Sequence, residues 1–120
     1  MPHIVLEYSD NIAEDFEVKE MFFELHNALM KLWAFKKQDF KSRAIEYNTY
    51  FIGDGEEKNA FAALQIQIMS GKTDEEKMDI SKASLEILKK YCKNTLLEKE
   101  ASISVQILEI DKKNYSRIQS

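Results

Sequence analysis

A hydrophobic pattern that occurs twice is the feature that most constrains the fold of this chain. A short alternating run, a stripe with helical spacing and a second alternating run fill residues 4–51, and the same order returns from residue 64. The strand starts Ile4 and Leu64 are 60 residues apart, and so are Lys41 and Ala101. The sequence therefore predicts a β-α-β unit followed by a second β-α-β unit.

The first unit is predicted from its spacing alone. Apolar residues at every second position over residues 4–8 indicate a half-buried strand. Apolar residues three and four positions apart over residues 18–32 indicate an amphipathic helix. A strand rich in aromatic and β-branched residues follows from about residue 41 to residue 51, and the glycine-containing segment 53–55 predicts a turn.

The second unit repeats this order with a clearer helix start. Residues 64–68 alternate as a strand, and Thr73 with Glu76 forms a capping-box pair that marks the first turn of a helix. Residues 103–107 alternate again as the last strand. The polar tail from Asp111 to Ser120 is predicted to be loose or dependent on a partner.

Each β-α-β unit implies a right-handed crossover and two parallel strands. We therefore expect an α+β fold, a four-stranded sheet with two helices on one face. A length of 120 residues fits one domain, 1–120, with halves of about 1–55 and 56–111. The second sheet face also carries apolar side chains, and an exposed apolar face is typical of association sites, so we expect an oligomer.

Composition excludes several functional classes. Lysine plus arginine is 17 and aspartate plus glutamate is 21, giving a net charge of −4, so a general nucleic-acid surface is not expected. One cysteine cannot form an internal disulfide, and with two histidines it gives no zinc-site spacing. The chain has neither the apolar length of a membrane span nor the cationic start of a signal peptide, which predicts a cytoplasmic location without membrane association.

The opening segment, Pro2-His3-Ile4-Val5-Leu6-Glu7-Tyr8-Ser9-Asp10-Asn11-Ile12, resembles the N-terminus of the 5-carboxymethyl-2-hydroxymuconate isomerase family of the tautomerase superfamily. Lys41-Ser42-Arg43 and the strand after it are similar to the matching part of that family. Residues 60–111 are similar in layout to the shorter 4-oxalocrotonate tautomerase. The resemblance implies a tautomerase-like fold, with β-α-β repeated in one chain, assembled as a homotrimer.

The resemblance also implies an activity. Family members use an amino-terminal proline as catalytic base after the initiator methionine is removed, which here is Pro2, and they need no metal or organic cofactor. The implied reaction is enol–keto isomerisation of 5-carboxymethyl-2-hydroxymuconate in the breakdown of homoprotocatechuate, which derives from 4-hydroxyphenylacetate. A free prolyl nitrogen is a secondary amine, and an apolar pocket or nearby cations lower the pKa of such an amine towards neutrality.

Topology predicts cations beside that nitrogen. Pro2 begins the first strand, and Lys41 and Arg43 begin the strand parallel to it. If the halves pack about a pseudo-twofold axis, Lys72, just after the third strand, lies at the same end. Arg43 can bind a carboxylate through two parallel hydrogen bonds, and a lysine supplies a point charge. We therefore expect Arg43, Lys41 and Lys72 to bind a small anionic carboxylate substrate. The resemblance implies arginine at some positions where this chain has Lys41 and Lys72.

Other interpretations of the sequence stay open. The enzyme could act on a different enol carboxylate, phenylpyruvate-like or 2-hydroxymuconate-like, or the chain could be a non-enzymatic β-α-β oligomerisation or ligand-binding module. A proline at position 2 also occurs by chance, and strand arginines and lysines are often simply solvated. The remaining candidates have structural interpretations: His3 lines the sheet, His26 is a structural histidine, Cys92 is a buried thiol, and Trp33, Phe35 and Phe40 pack under a loop.

Overall fold

The computed structural model of the chain describes Met1–Ser120 and contains four strands and three α-helices. The first half consists of β1 (His3–Ser9), α1 (Val18–Leu32), a 3-10 turn (Lys37–Asp39) and β2 (Lys41–Tyr47). The second half consists of β3 (Asn59–Met69), α2 (Asp74–Tyr91), α3 (Lys93–Glu98), β4 (Glu100–Ile110) and a 3-10 turn (Lys112–Asn114).

The four strands form one mixed sheet in the order β2-β1-β3-β4. β1 is parallel to β2, and β3 is parallel to β4, as expected for two crossover units. The two units meet at the antiparallel pair of β1 and β3, where Ile4 lies opposite Ile66 and Leu6 opposite Leu64. The predicted α+β architecture is confirmed.

The core lies between the sheet and the helices. Every second residue of β1 and β3 is buried, and these side chains form one cluster with the apolar stripe of α1 and residues of α2. The predicted start of α2 is confirmed, because the Thr73 hydroxyl accepts from the Glu76 backbone N–H (3.1 Å) and the Glu76 carboxylate accepts from the Thr73 N–H (2.8 Å). Because α1 and α2 both contribute to this one cluster, the two helices cover the same face of the sheet.

Two features differ from the sequence prediction. β2 ends at Tyr47 and does not extend to residue 51, because the buried Asn59 amide donates to the Ile52 carbonyl (2.9 Å) and the Asp54 carboxylate (2.7 Å) and holds this segment as a turn. The short helix α3 was not predicted. Its Thr95 N–H donates to the Glu14 carboxylate (3.1 Å), a partner 81 residues away in sequence.

No element of the chain covers the second face of the sheet. His3, Val5 and Glu7 of β1 point to that face and are partly exposed, while Ile45 of β2 is 46% exposed. Apolar side chains thus alternate there with polar ones. None of the helices combines the length and the apolar character that crossing a membrane requires.

Candidate active site

The start of the chain lies at one end of the sheet, against β2 and β3. The Pro2 side chain is fully buried, and its carbonyl accepts a hydrogen bond from the Lys41 N–H (3.1 Å). On the other side, the antiparallel register sets His3 opposite Gln67. The last residues of β3, Ile68 and Met69, are therefore neighbours of the first residues of the chain.

A cavity of about 260 Å³ opens at this end. Its lining consists of Met1, Phe35, Ile68, Met69, Ser70, Gly71, Lys72 and Lys112. Met1 is bonded to the Pro2 nitrogen and lies in the cavity wall, so that nitrogen is at the cavity edge. Removing Met1 would take one residue out of the cavity wall and turn the Pro2 nitrogen from an amide into an amine.

The electrostatics at this end are cationic. The Lys72 ammonium lies 4.4 Å from the centroid of the Trp33 ring and 5.2 Å from that of Phe35, and the Lys41 ammonium donates to the Asp39 carbonyl (3.4 Å). Neither lysine forms an ion pair with a carboxylate. Both charges therefore remain available to an anion.

The amino group of Met1 shows what this environment does to an amine at the chain start. Burial lowers the pKa of that amino group, and the charges of Lys41 and Arg117 lower it further, whereas the Asp39 carboxylate opposes them. Burial is the largest of these effects, and the net shift of the pKa is downward. Such surroundings favour the neutral amine, which is the form that accepts protons.

Arg43 lies elsewhere, on the uncovered face of the sheet. Its Nη1 donates to Nδ1 of His3 at 3.0 Å, which requires an unprotonated Nδ1. Burial first, and then the charges of Arg43 and Lys41, lower the pKa of His3, in agreement with a neutral ring. The structure thus brings Lys72 to the cavity beside the chain start, whereas neither Arg43 nor Lys41, whose backbone N–H binds the Pro2 carbonyl, lines the cavity.

The aromatic residues before β2 have two roles. Phe40 packs edge-on against Phe35 (5.7 Å between centroids) and stacks on His26 (4.4 Å), whose Nε2 is 2.6 Å from the Ser42 hydroxyl. These contacts match the structural interpretation of His26 and Phe40. Phe35 also lines the cavity, so the cluster forms part of its apolar wall.

The C-terminal tail contributes groups that the sequence pattern did not indicate. Lys112 lines the cavity, the Tyr115 hydroxyl lies 4.0 Å from the Met1 sulfur, and Arg117 lies 3.8 Å from the Asp39 carboxylate. The tail, predicted to be loose or dependent on a partner, thus contacts the rest of the chain at these points. The sequence did contain an indication of this contact. The third and fourth strands were predicted to be parallel, and parallel strands that end side by side bring the residues after them together.

No three histidine, cysteine, aspartate or glutamate side chains come close enough together to form a metal site. The groups at this end of the sheet are the amino group at the chain start, the ammonium groups of Lys72 and Lys112 and an apolar wall. These groups can bind a small anion with an apolar body, and the amine can exchange a proton with it.

Similarity to known proteins extends over most of the chain. The chain is 24% identical over 110 residues to the 5-carboxymethyl-2-hydroxymuconate Delta-isomerase of Escherichia coli, covering 92% of this chain and 87% of that protein. Its fold matches the crystal structure of a 5-carboxymethyl-2-hydroxymuconate isomerase from Deinococcus radiodurans R1 with a TM-score of 0.85 and 24% identity, covering 99% of this chain and 90% of that one.

A second solved structure, a symmetric trimer of fused wild-type 4-OT, matches with a TM-score of 0.75 and 15% identity, over 96% of this chain and 90% of that one. A family model, that of 5-carboxymethyl-2-hydroxymuconate isomerase, matches residues 2–119. Because this match spans nearly the whole length, the chain belongs to the 5-carboxymethyl-2-hydroxymuconate isomerase family.

Proposed function

We propose that the protein is an isomerase that catalyses enol–keto tautomerisation of 5-carboxymethyl-2-hydroxymuconate, with the Pro2 nitrogen as acid and base, in the degradation of homoprotocatechuate. The observation that carries this proposal is that Met1, which is bonded to the Pro2 nitrogen, lines a cavity whose lysines have no carboxylate partners. An amine there is next to the place where an anionic substrate would bind.

The proposed reaction is a proton transfer within one substrate molecule. The neutral Pro2 amine removes the proton of the dienol hydroxyl, and the resulting ammonium returns it to a carbon of the conjugated chain, which yields the conjugated ketone. The negative charge that develops on the enolate is stabilised by the Lys72 ammonium, since fixed charges in a partly apolar site require little reorganisation. Phe35, Ile68 and Met69 provide the surface for the carbon skeleton.

The cationic surroundings support the role of Pro2. A base that works near neutral pH needs a pKa close to the ambient pH. The burial and the charges that lower the pKa of the amino group at the chain start act in this direction. The pyrrolidine ring also fixes the direction of the nitrogen lone pair relative to β1.

We also propose that three chains assemble into a trimer through the uncovered sheet face. The partly exposed Val5 and Ile45 support this proposal, because the chain itself provides nothing to cover them. Arg43 and His3 lie on that face, so in a trimer they would be close to a neighbouring chain. Light scattering after size exclusion is expected to give about 42 kDa, three times the 14.0 kDa of one chain.

A second candidate substrate is another enol carboxylate, such as a phenylpyruvate-like or 2-hydroxymuconate-like compound. The observation that favours it is that the cavity holds lysines and that Arg43 lies outside it. A lysine binds a carboxylate with less geometric control than an arginine does, so the site is less selective for one arrangement of carboxylates. Values of kcat/KM over a panel of enols would rank these substrates.

The decisive experiment is an ultraviolet assay of ketonisation with authentic 5-carboxymethyl-2-hydroxymuconate, comparing the natural chain with Pro2→Ala. Intact mass must show that Met1 has been removed from both proteins, since a retained Met1 acylates the nitrogen. Positioned acid–base groups typically contribute about 10²–10⁴-fold to the rate, so we expect at least a hundredfold loss of kcat. Size exclusion controls for assembly. Unchanged kinetics in a correctly assembled Pro2→Ala protein would refute the mechanism.

A further inference from the structure

We infer that Lys112, in the turn after β4, is a second anion-binding residue of the cavity and binds a carboxylate of the substrate together with Lys72. This inference rests on the proposed function for the identity of the substrate. It extends the site to the C-terminal segment, which no part of the β-α-β pattern includes.

The backbone fixes the position of Lys112. Met69 at the end of β3 pairs with Ile110 at the end of β4, and the Ser70 N–H donates to the Ile110 carbonyl (2.9 Å). The Asp111 carboxylate then accepts from the Lys113 N–H (3.0 Å), which closes the turn. The residues that follow the two parallel strands are thereby held side by side, with Lys112 next to Gly71.

The Lys112 side chain reaches across Gly71 to the cavity. Its ammonium lies 3.6 Å from the point that a Cβ on Gly71 would occupy, so the ammonium is beside Gly71. Lys72 follows Gly71 in sequence and lines the same cavity. Two ammonium groups therefore flank one glycine at the cavity wall.

The charge of Lys112 is not neutralised by the chain. The neighbouring Lys77 on α2 pairs with the Glu109 carboxylate of β4, but no carboxylate lies within ion-pairing distance of Lys112 or Lys72. Unpaired charges of one sign that line a cleft raise the local concentration of counter-ions. Since the rest of the wall contains Phe35, Ile68 and Met69, the matching ligand is a carboxylate with an apolar or conjugated body.

The tail beyond Lys112 is held in place at two points. Tyr115 contacts Met1, and Arg117 pairs with Asp39, which precedes β2. These contacts carry the segment from the end of β4 past the cavity to the start of β2. The Tyr115 contact is lost when Met1 is removed, so in protein that begins at Pro2 the segment around Lys112 is held by the turn at Asp111 and by the pair of Arg117 with Asp39.

The test uses equilibrium binding of adipate, an unreactive six-carbon dicarboxylate, to protein that begins at Pro2. Trp33 is the only tryptophan of the chain and lies beneath the Lys72 ammonium, so its fluorescence reports an anion in the cavity. The variants are Lys112→Met and, as the matched control, Lys113→Met, which removes the same charge from an exposed neighbour outside the cavity lining. Ionic strength is kept constant, because salt screens such interactions.

We expect Lys112→Met to weaken adipate binding about five- to tenfold and Lys113→Met to change it less than twofold, since one typical hydrogen bond contributes on this order. In turnover, Lys112→Met should raise KM by a similar factor with kcat within twofold, because the carboxylate is bound equally before and during proton transfer. Lys112→Arg, which keeps the charge, should restore most of the binding.

The outcomes separate this inference from the proposed function. If adipate binding depends on Lys112 but Pro2→Ala leaves ketonisation unchanged, the anion site stands and the proposed catalysis is wrong. If Pro2→Ala abolishes turnover but Lys112→Met and Lys113→Met bind adipate equally, the role of Lys112 is wrong. Absence of saturable adipate binding to the natural chain, or a Met1 that is never removed from it, also overturns the inference.

Discussion

Gly71→Ala tests how the backbone after β3 shapes the candidate site. Gly71 has a φ of +119°, a conformation that residues with a Cβ rarely adopt. A Cβ at this position would lie 3.6 Å from the Lys112 ammonium, which is an ordinary contact distance. The effect of the substitution therefore comes from backbone strain and not from a steric clash.

The magnitude follows from two opposing effects. Holding a non-glycine residue in such a conformation costs about 1–3 kcal/mol. The reduced entropy of the unfolded alanine chain offsets about 0.4–1 kcal/mol of that cost. We therefore expect Gly71→Ala to lower the free energy of unfolding by about 1–2 kcal/mol. If the backbone relaxes instead, we expect it to displace the adjacent Lys72 from the cavity.

Gly53→Ala is the matched control. Gly53 also has a positive φ, +58°, and a Cβ there would likewise find its nearest neighbour, the Asn59 amide, at 3.6 Å. Its expected cost is similar, about 1–2 kcal/mol. Gly53 precedes β3 whereas Gly71 follows it, so an eleven-residue strand of roughly 35 Å separates the control from the cavity.

The assay combines urea unfolding, at one protein concentration to keep any assembly constant, with ketonisation kinetics under conditions where both variants are folded. We expect Gly71→Ala either to lose stability as Gly53→Ala does or, if its backbone relaxes, to keep its stability and lose kcat/KM at least tenfold. Gly53→Ala should keep its kcat/KM in either case. Stability of Gly71→Ala within about 0.3 kcal/mol of the natural chain together with unchanged kinetics would refute the strain argument. Equal loss of activity in both variants would refute the link between Gly71 and the site.

Two further predictions concern titratable groups in the fold. Burial lowers the pKa of His26 below its ordinary value of 6.5, so its contribution to stability is complete above that pH and is lost as the pH falls below 6.5. Between pH 7.5 and 5.5, urea unfolding should show a steeper fall in the free energy of unfolding for the natural chain than for His26→Gln. Equal slopes would contradict the assignment. Burial, helped by the charge of Glu14, raises the pKa of the Cys92 thiol to about 12, so iodoacetamide at pH 8 should modify this thiol only in urea. Mass spectrometry measures the alkylation, and rapid alkylation of the folded protein would contradict the burial of the thiol.

The sequence predicted the fold well because its signals are local and regular. Alternation in β1 and β3 identifies the buried face, and the antiparallel pairing of these strands then brings Lys72 to the end where Pro2 lies. The capping box of Thr73 and Glu76 predicts the start of α2 from a stretch of only four residues. In contrast, α3 depends on Glu14, and no periodic pattern connects residues 81 positions apart.

The candidate site was predicted less completely than the fold. Alternation correctly set Lys41 and Arg43 on one face of β2, but it does not tell which face the cavity adjoins, and Arg43 points to the uncovered one. Lys112 lies in a tail without hydrophobic periodicity, so the pattern assigned it no structure. Its position follows from tertiary pairing of β3 with β4, which can be inferred only once the strand ends are known.

The duplicated sheet has two pseudo-equivalent ends, and only one of them has the character of an anion site. At the opposite end, where β3 begins, Asn59 occupies the place of the chain start, but its nitrogen is an amide that donates to the Glu56 carbonyl (3.1 Å). The surface depression there includes the Asp54 and Glu100 carboxylates and no lysine. Only one of the two β-α-β units begins at a chain terminus, so the expected stoichiometry is one anion site per chain.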